Sequence, residues 1–155
     1  MSLVEQQIFA FLNRNNVKYE VFEHDPVYTC EKMAEFLKVG KKSIAKSMVI
    51  KKSGNGYLLV VLPGDAKVDF TRLARIVDTV SVSLAPIKEA EQVAGCSIGC
   101  VHPFGNLINT VTYFDASLLD SLCVFFNPGS HSKSVKISAQ ELVRLVRPIV
   151  GVFAA

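Results

Sequence analysis

Ile44-Ala45-Lys46-Ser47-Met48-Val49-Ile50-Lys51-Lys52, then Ser53-Gly54-Asn55-Gly56, then Tyr57-Leu58-Leu59-Val60-Val61-Leu62: this run decides the fold class. Two apolar segments bracket a glycine-bearing turn, which predicts a hairpin of strands 44–52 and 57–62. A hairpin is antiparallel, so the sheet is mixed rather than the parallel sheet of a doubly wound fold. A two-residue period sets Ile44, Lys46, Met48 and Ile50 on one face of the first strand, and Ala45, Ser47 and Val49 on the other. A lysine on the more apolar face is costly unless its stem packs and its head reaches water or a partner. Lys46 is therefore the first candidate for function.

Outward from the hairpin, helices and strands interleave. Leu3 to Asn13 reads as an amphipathic helix with Val4, Ile8, Phe11 and Leu12 on its apolar side. Val17 to Phe22 alternates as a short strand, and Thr29 caps a helix from Cys30 to Val39 that Gly40 stops. Asp69 caps a helix reaching Val77, a strand covers Val80 to Leu84, and Pro86 stands in the first turn of a helix ending at Ala94-Gly95. Strands follow near Thr110–Phe114, Leu122–Asn127 and Ser134–Ile137. Ser138-Ala139-Gln140-Glu141 is a capping-box pattern that opens the last helix. The expected architecture is α+β, a mixed β-barrel-like sheet surrounded by helices.

With 155 residues, half of them apolar and a fifth charged, the chain has the composition of one globular domain spanning 1–155. Its apolar runs are too short to span a bilayer, and the N-terminus lacks a basic-then-apolar signal pattern. A cytoplasmic protein without a membrane partner is the expectation. In that setting Cys30, Cys96, Cys100 and Cys123 are expected as free thiols. The net charge of +3 permits contact with a polyanion without demanding it.

Two loops carry chemistry. Gly99-Cys100-Val101-His102-Pro103-Phe104-Gly105 has glycines flanking a proline, which lets the backbone approach a ligand and present N–H groups to a developing oxyanion. Asn127-Pro128-Gly129-Ser130-His131-Ser132-Lys133 is a polar loop between two strands, where ligand contacts are often mounted. These loops, taken in order after His24-Asp25-Pro26, Tyr28-Thr29, Ile44-Ala45-Lys46-Ser47 and Val61-Leu62-Pro63-Gly64-Asp65, resemble the YbaK/EbsC group, also called the prolyl-tRNA synthetase-associated domain. Each motif is weak alone, but the ordered set spans nearly the whole chain.

The resemblance implies a freestanding aminoacyl-tRNA deacylase that edits in trans, hydrolysing the ester of a mischarged tRNA without metal or other cofactor. Ala-tRNA-Pro is the first expectation for the substrate; Cys- and Ser-tRNA are the alternatives. Lys46 would anchor the substrate, with Gly99 and Gly105 framing the catalytic loop. Tyr28, Thr29, His102, Pro103, Phe104, Asn127, Gly129 and His131 are the candidate substrate contacts. Partners implied are the tRNA acceptor end and prolyl-tRNA synthetase. His102 stands where relatives carry serine or threonine, and Cys100 where many have a second glycine, which bears on acyl specificity. Lys38, Lys41, Lys42, Lys133 and Lys136 form a modest basic cluster near the expected mouth.

Other readings compete. Cys96, Cys100 and His102 could ligate zinc, although C-x3-C-x-H lacks knuckle spacing. Cys100 could be a nucleophile beside His102. The same fold could bind aminoacyl-tRNA or an amino acid without catalysis. Duplex DNA is not an expected partner, because no helix presents a row of base-reading side chains.

Overall fold

The computed structural model describes Met1–Ala155. The hairpin forms as β2 (Ala45–Lys52) and β3 (Tyr57–Pro63), paired antiparallel with Lys46 opposite Leu62 and Val49 opposite Leu59. Around it lie α1 (Leu3–Arg14), β1 (Tyr19–Glu23), α2 (Cys30–Leu37), α3 (Phe70–Val77), β4 (Val82–Leu84) and α4 (Ile87–Ala94). The chain closes with β5 (Thr112–Asp115), β6 (Cys123–Phe126), β7 (Lys133–Ser138), α5 (Ala139–Val146) and β8 (Ile149–Gly151).

The strands build two sheets, ordered β1-β7-β6 and β4-β2-β3-β5-β8. The larger is mixed: β2 is antiparallel to β3 and β4, whereas β5 runs parallel to β3 and β8. The α+β class is as expected, but the barrel does not close. The two sheets stay open and meet at a single bridge between Ile44 and Phe125.

β3 is the spine. Leu58, Val60 and Leu62 point into one apolar cluster with Leu73 of α3 and Phe153, while Val61 points into another with Ile8 and Leu12 of α1. All five residues from Leu58 to Leu62 are buried, as a central strand covered on both faces must be. Each such side chain contributes roughly 1.5–3 kcal/mol. Phe104, Phe114 and Phe126 fill the second cluster, where Phe104 meets Phe126 edge-on at 5.3 Å between centroids.

Local departures from the sequence pattern have local causes. α2 ends before Gly40 because Lys38 itself takes the left-handed conformation and donates its N–H back to Ala34. Pro86 is the N-cap of α4 rather than a first-turn residue. The box expected at α5 is half formed, since Ser138 accepts from the Glu141 N–H while the Glu141 carboxylate turns to Arg144. A full reciprocal box forms instead at α1, between Ser2 and Glu5.

The C-terminal residues are tied to the sheet by one buried carboxylate. Asp115 accepts from the Phe153 and Ala154 N–H groups at 2.8 Å each, and from the Ser117 N–H and hydroxyl. Burial alone would raise its pKa, but the bonds from Ser117, Phe153 and Ala154 outweigh burial and hold it below the ordinary value. Its contribution is therefore complete above the unfolded pKa of about 3.9 and is lost as pH falls through the lower folded value. Asp115→Ala is expected to cost about 3 kcal/mol in urea unfolding at pH 7, with the gap to wild type narrowing below about pH 4. An equal gap at both pH values would contradict this.

Candidate active site

β4 pairs with β2 only at Ile50–Lys52, after which Ala85 donates to the Val49 carbonyl and the chain turns away. The stretch of β2 from Ala45 to Met48 therefore keeps an edge without a partner strand, and a cavity of about 370 Å³ lies against it. Its other walls are Val27, Tyr28 and Thr29, Cys30 and Met33 of α2, Leu84, the Ile98–Val101 segment and Asn127. Apolar side chains dominate this lining, with few polar groups, as small-molecule sites commonly show.

Lys46 lines the cavity, half-buried, and its Nζ donates to the Ala66 carbonyl at 2.6 Å. That acceptor is in place because Gly64 lets the chain fold tightly after β3. The Gly64 N–H bonds the Lys41 and Ile44 carbonyls, and a Cβ there would come 2.8 Å from Lys41 O. An ammonium has three donors, so one bond to Ala66 leaves two for a ligand.

Across the cavity, Gly99 has φ +89°, a conformation that favours glycine. The Gly99 and Val101 N–H groups take no part in the backbone bonding of their turn, whereas Cys100 N–H bonds Ser97 O. Asn127 clamps this turn: its Nδ2 donates to Gly99 O at 3.3 Å and its Oδ1 accepts from Ser130 N–H at 2.9 Å. Behind it, His131 Nδ1 lies 3.2 Å from Val27 O and Nε2 lies 3.2 Å from Cys100 Sγ. A carbonyl only accepts, so Nδ1 carries the proton and Nε2 accepts from the thiol. Tyr28, largely exposed at the rim, lies over the His131 ring at 4.4 Å between centroids.

The structure thus gathers Lys46, Gly99, Tyr28, Thr29 and Asn127 around one cavity, with His131 directly behind the rim. Thr29 also caps α2, accepting from Lys32 N–H at 3.1 Å. It does not bring the remaining candidates there. His102 is buried, its Nδ1 accepting from Phe104 N–H at 3.1 Å, and Phe104 sits in the core against Phe11 and Phe126. Pro103 is buried beside them. Gly105 is required by packing, because a Cβ there would overlap the Thr112 hydroxyl. Gly129, at φ +88°, packs against Val4 of α1, where a Cβ would come within 2.8 Å. The loop turns inward after Val101, so its second half packs in the core.

Two competing arrangements are not built. No group of three or more His, Cys, Asp or Glu side chains is placed to hold a metal, so Cys96, Cys100 and His102 do not form a ligand set. The histidine beside Cys100 is His131 rather than His102, and burial pushes the Cys100 thiol up to about 11. A protonated, buried thiol donates a hydrogen bond and does not attack. Lys133 also leaves the basic cluster, being paired with Glu5 at 2.9 Å.

Sequence reasoning missed Cys30, Met33, Ser47, Met48 and Leu84 in the cavity lining; the Ser47 Oγ itself is shut off from solvent and has no hydrogen-bond partner. The two-residue period placed Ser47 opposite Lys46 and so away from it. Only the missing partner strand makes both faces of β2 wall the same space.

The chain belongs to the aminoacyl-tRNA editing domain family, whose model matches residues 24–145. It is 28% identical over 151 residues to the multifunctional Ser/Thr-tRNA deacylase ProXp-y of Escherichia coli K12, covering 95% of this chain and 90% of the relative. It is 28% identical over 156 residues to the prolyl-tRNA editing protein ProX of Acetoanaerobium sticklandii, covering 97% and 95%. The crystal structure of hypothetical protein APE2540 superposes with a TM-score of 0.90 at 22% identity, over 96% of this chain and 99% of that one, a likeness of fold.

Burial pushes the His102 pKa down to about 4. An unfolded histidine titrates near 6.5, so between about pH 6.5 and 4 the unfolded chain binds the extra proton and stability falls with falling pH. The full span is about 3 kcal/mol. His102→Gln is expected to flatten that part of the stability–pH curve, measured by urea unfolding; an unchanged slope would contradict a neutral buried imidazole.

Proposed function

We propose that the chain is a freestanding trans-editing deacylase that hydrolyses the ester between a small amino acid and the wrong tRNA. The observation that carries this reading is the convergence, on one apolar cavity, of the Lys46 ammonium and the unengaged Gly99 and Val101 amides. An aminoacyl ester is already activated, so its hydrolysis needs position, a directed water and donors for the oxyanion more than a strong nucleophile. An acyl carbonyl seated beside the Gly99 turn would find in these amides donors without a backbone partner, whose partial charge grows in value as the carbonyl oxygen turns anionic. The two free donors of Lys46 hold a phosphate or ribose oxygen of the terminal adenosine as a point charge. The exposed Tyr28 ring offers a stacking face for the terminal base. Water attacks the carbonyl carbon, the C–O bond to ribose breaks, and the ribose hydroxyl leaves with the proton.

The cavity suits a small acyl group, with alanine, serine and cysteine on tRNA-Pro as the charged species to examine. The names of the two relatives support editing as the activity. The cytoplasm is the compartment in which such a substrate occurs. Prolyl-tRNA synthetase, the source of mischarged tRNA-Pro, is the partner we propose.

Lys46→Ala is expected to lower kcat/KM for release of the edited amino acid at least about a hundredfold, measured with charged tRNA in excess over enzyme. Stoichiometric protection of charged tRNA in place of turnover would favour a non-catalytic binding module. Lys38, Lys41 and Lys42 are exposed, and if they guide the acceptor end, log affinity falls linearly with log salt. A flat salt response would remove them from the interface.

A further inference from the structure

Helix α2 borders two spaces. Cys30 and Met33 line the cavity, whereas Lys32, Glu35 and Phe36, at i, i+3 and i+4, share another side of the helix. An open groove of about 670 Å³ lies along that side and reaches the segment from Pro26 to Thr29. Val27, Tyr28 and Thr29 line both groove and cavity, so the two are contiguous. The groove displays its aromatic rings: Tyr28 is 65% exposed and Phe36 49%. Each ring meets a histidine, Tyr28 against His131 at 4.4 Å and Phe36 against His24 at 4.9 Å between centroids. His24 is pinned in turn, its Nδ1 2.8 Å from Asp25 O and its Nε2 2.7 Å from Ser134 Oγ. Lys32 and Glu35 form a loose, exposed pair at 3.5 Å, worth little to stability and open to other partners.

Exposed rings beside a cation are what a protein offers single-stranded nucleic acid, a base on the ring and a phosphate on the charge. A tRNA acceptor end is single-stranded, and a cytidine precedes its terminal adenosine. On the strength of the deacylase reading above, which sets that adenosine at Tyr28 and Lys46, we infer that the groove is the subsite for the penultimate nucleotide. The cytosine stacks on Phe36, and Tyr28 stands between it and the terminal base. Its exocyclic amine donates to the Glu35 carboxylate, an acceptor suited to that group, while Lys32 takes the phosphate as a point charge. Continuity argues for this occupant. A strand whose 3′ end is seated in the cavity leaves across the rim, and Tyr28 and Thr29 of that rim are also a wall of the groove.

The test uses charged tRNA, intact or lacking only the base of its penultimate nucleotide, carrying the acyl group that wild type releases fastest. kcat/KM is measured on both with wild type, Phe36→Ala and Phe36→Trp; Phe36 is half-exposed, so neither change empties the core. The expected result is that losing the base costs wild type about tenfold, as losing one stacked base does. Phe36→Ala is slower than wild type on intact tRNA by a similar factor and indifferent to the missing base, because the two changes remove one contact. Phe36→Trp keeps a ring and stays sensitive to the base. Equal rates of wild type on the two tRNAs, or a full loss on the abasic tRNA that persists in Phe36→Ala, overturns the inference while leaving the deacylase reading in place. Release of no charged species by wild type overturns the deacylase reading and the inference with it.

Discussion

Strand β2 is paired with β3 along one side but with β4 only at its last three residues on the other, and the cavity lies against the unpaired stretch between that pairing and the Ile44–Phe125 bridge. An unpaired edge ordinarily invites another strand. Here it is screened by α2, the Gly99 turn and the Asn127 loop, which close over it without hydrogen-bonding to it and leave a walled space. The hairpin supplies rigidity at the same point, since β3 behind it is buried on both faces. A site mounted on such a strand holds its side chains more firmly than one carried by loops alone.

The loops are held by small, specific bonds. Asn127 reaches back to Gly99, the Cys100 thiol and His131 share a hydrogen bond, and His131 is anchored in turn to Val27. Three separate stretches of chain are thereby linked around the rim, each bond worth about 1 kcal/mol. The chemistry asked of the site is correspondingly modest. On the proposed reading it asks for an activated ester, two amides and one positive charge, while the Cys100 thiol shares a hydrogen bond with His131.

Much of this was legible in the residues. The hairpin, the helix caps at Thr29, Asp69 and Ser138, and the mixed character of the sheet follow from local chemistry that tertiary packing did not override. β8 was not legible, because three residues after Pro148 carry too little periodicity to mark a strand. Lys46, Gly99 and Asn127 stand out by residue type in their surroundings. Their neighbours in the loops do not separate so cleanly: Phe104 and Gly105 share a motif with Gly99 yet pack in the core, since sequence adjacency says nothing of where a loop turns inward. Ser47 was hidden for the opposite reason. A strand's alternation assigns its faces but does not say which edge lacks a neighbour.

The most direct test of the account is a crystal structure with a non-hydrolysable seryl amide of 3′-amino-3′-deoxyadenosine 5′-phosphate. The account predicts the seryl group in the cavity against β2, its carbonyl oxygen within hydrogen-bond distance of the Gly99 or Val101 N–H, and Lys46 Nζ on a phosphate or ribose oxygen. An acyl group bound elsewhere, or one in the cavity with its carbonyl away from both amides and Lys46 bonded to Ala66 alone, would contradict it.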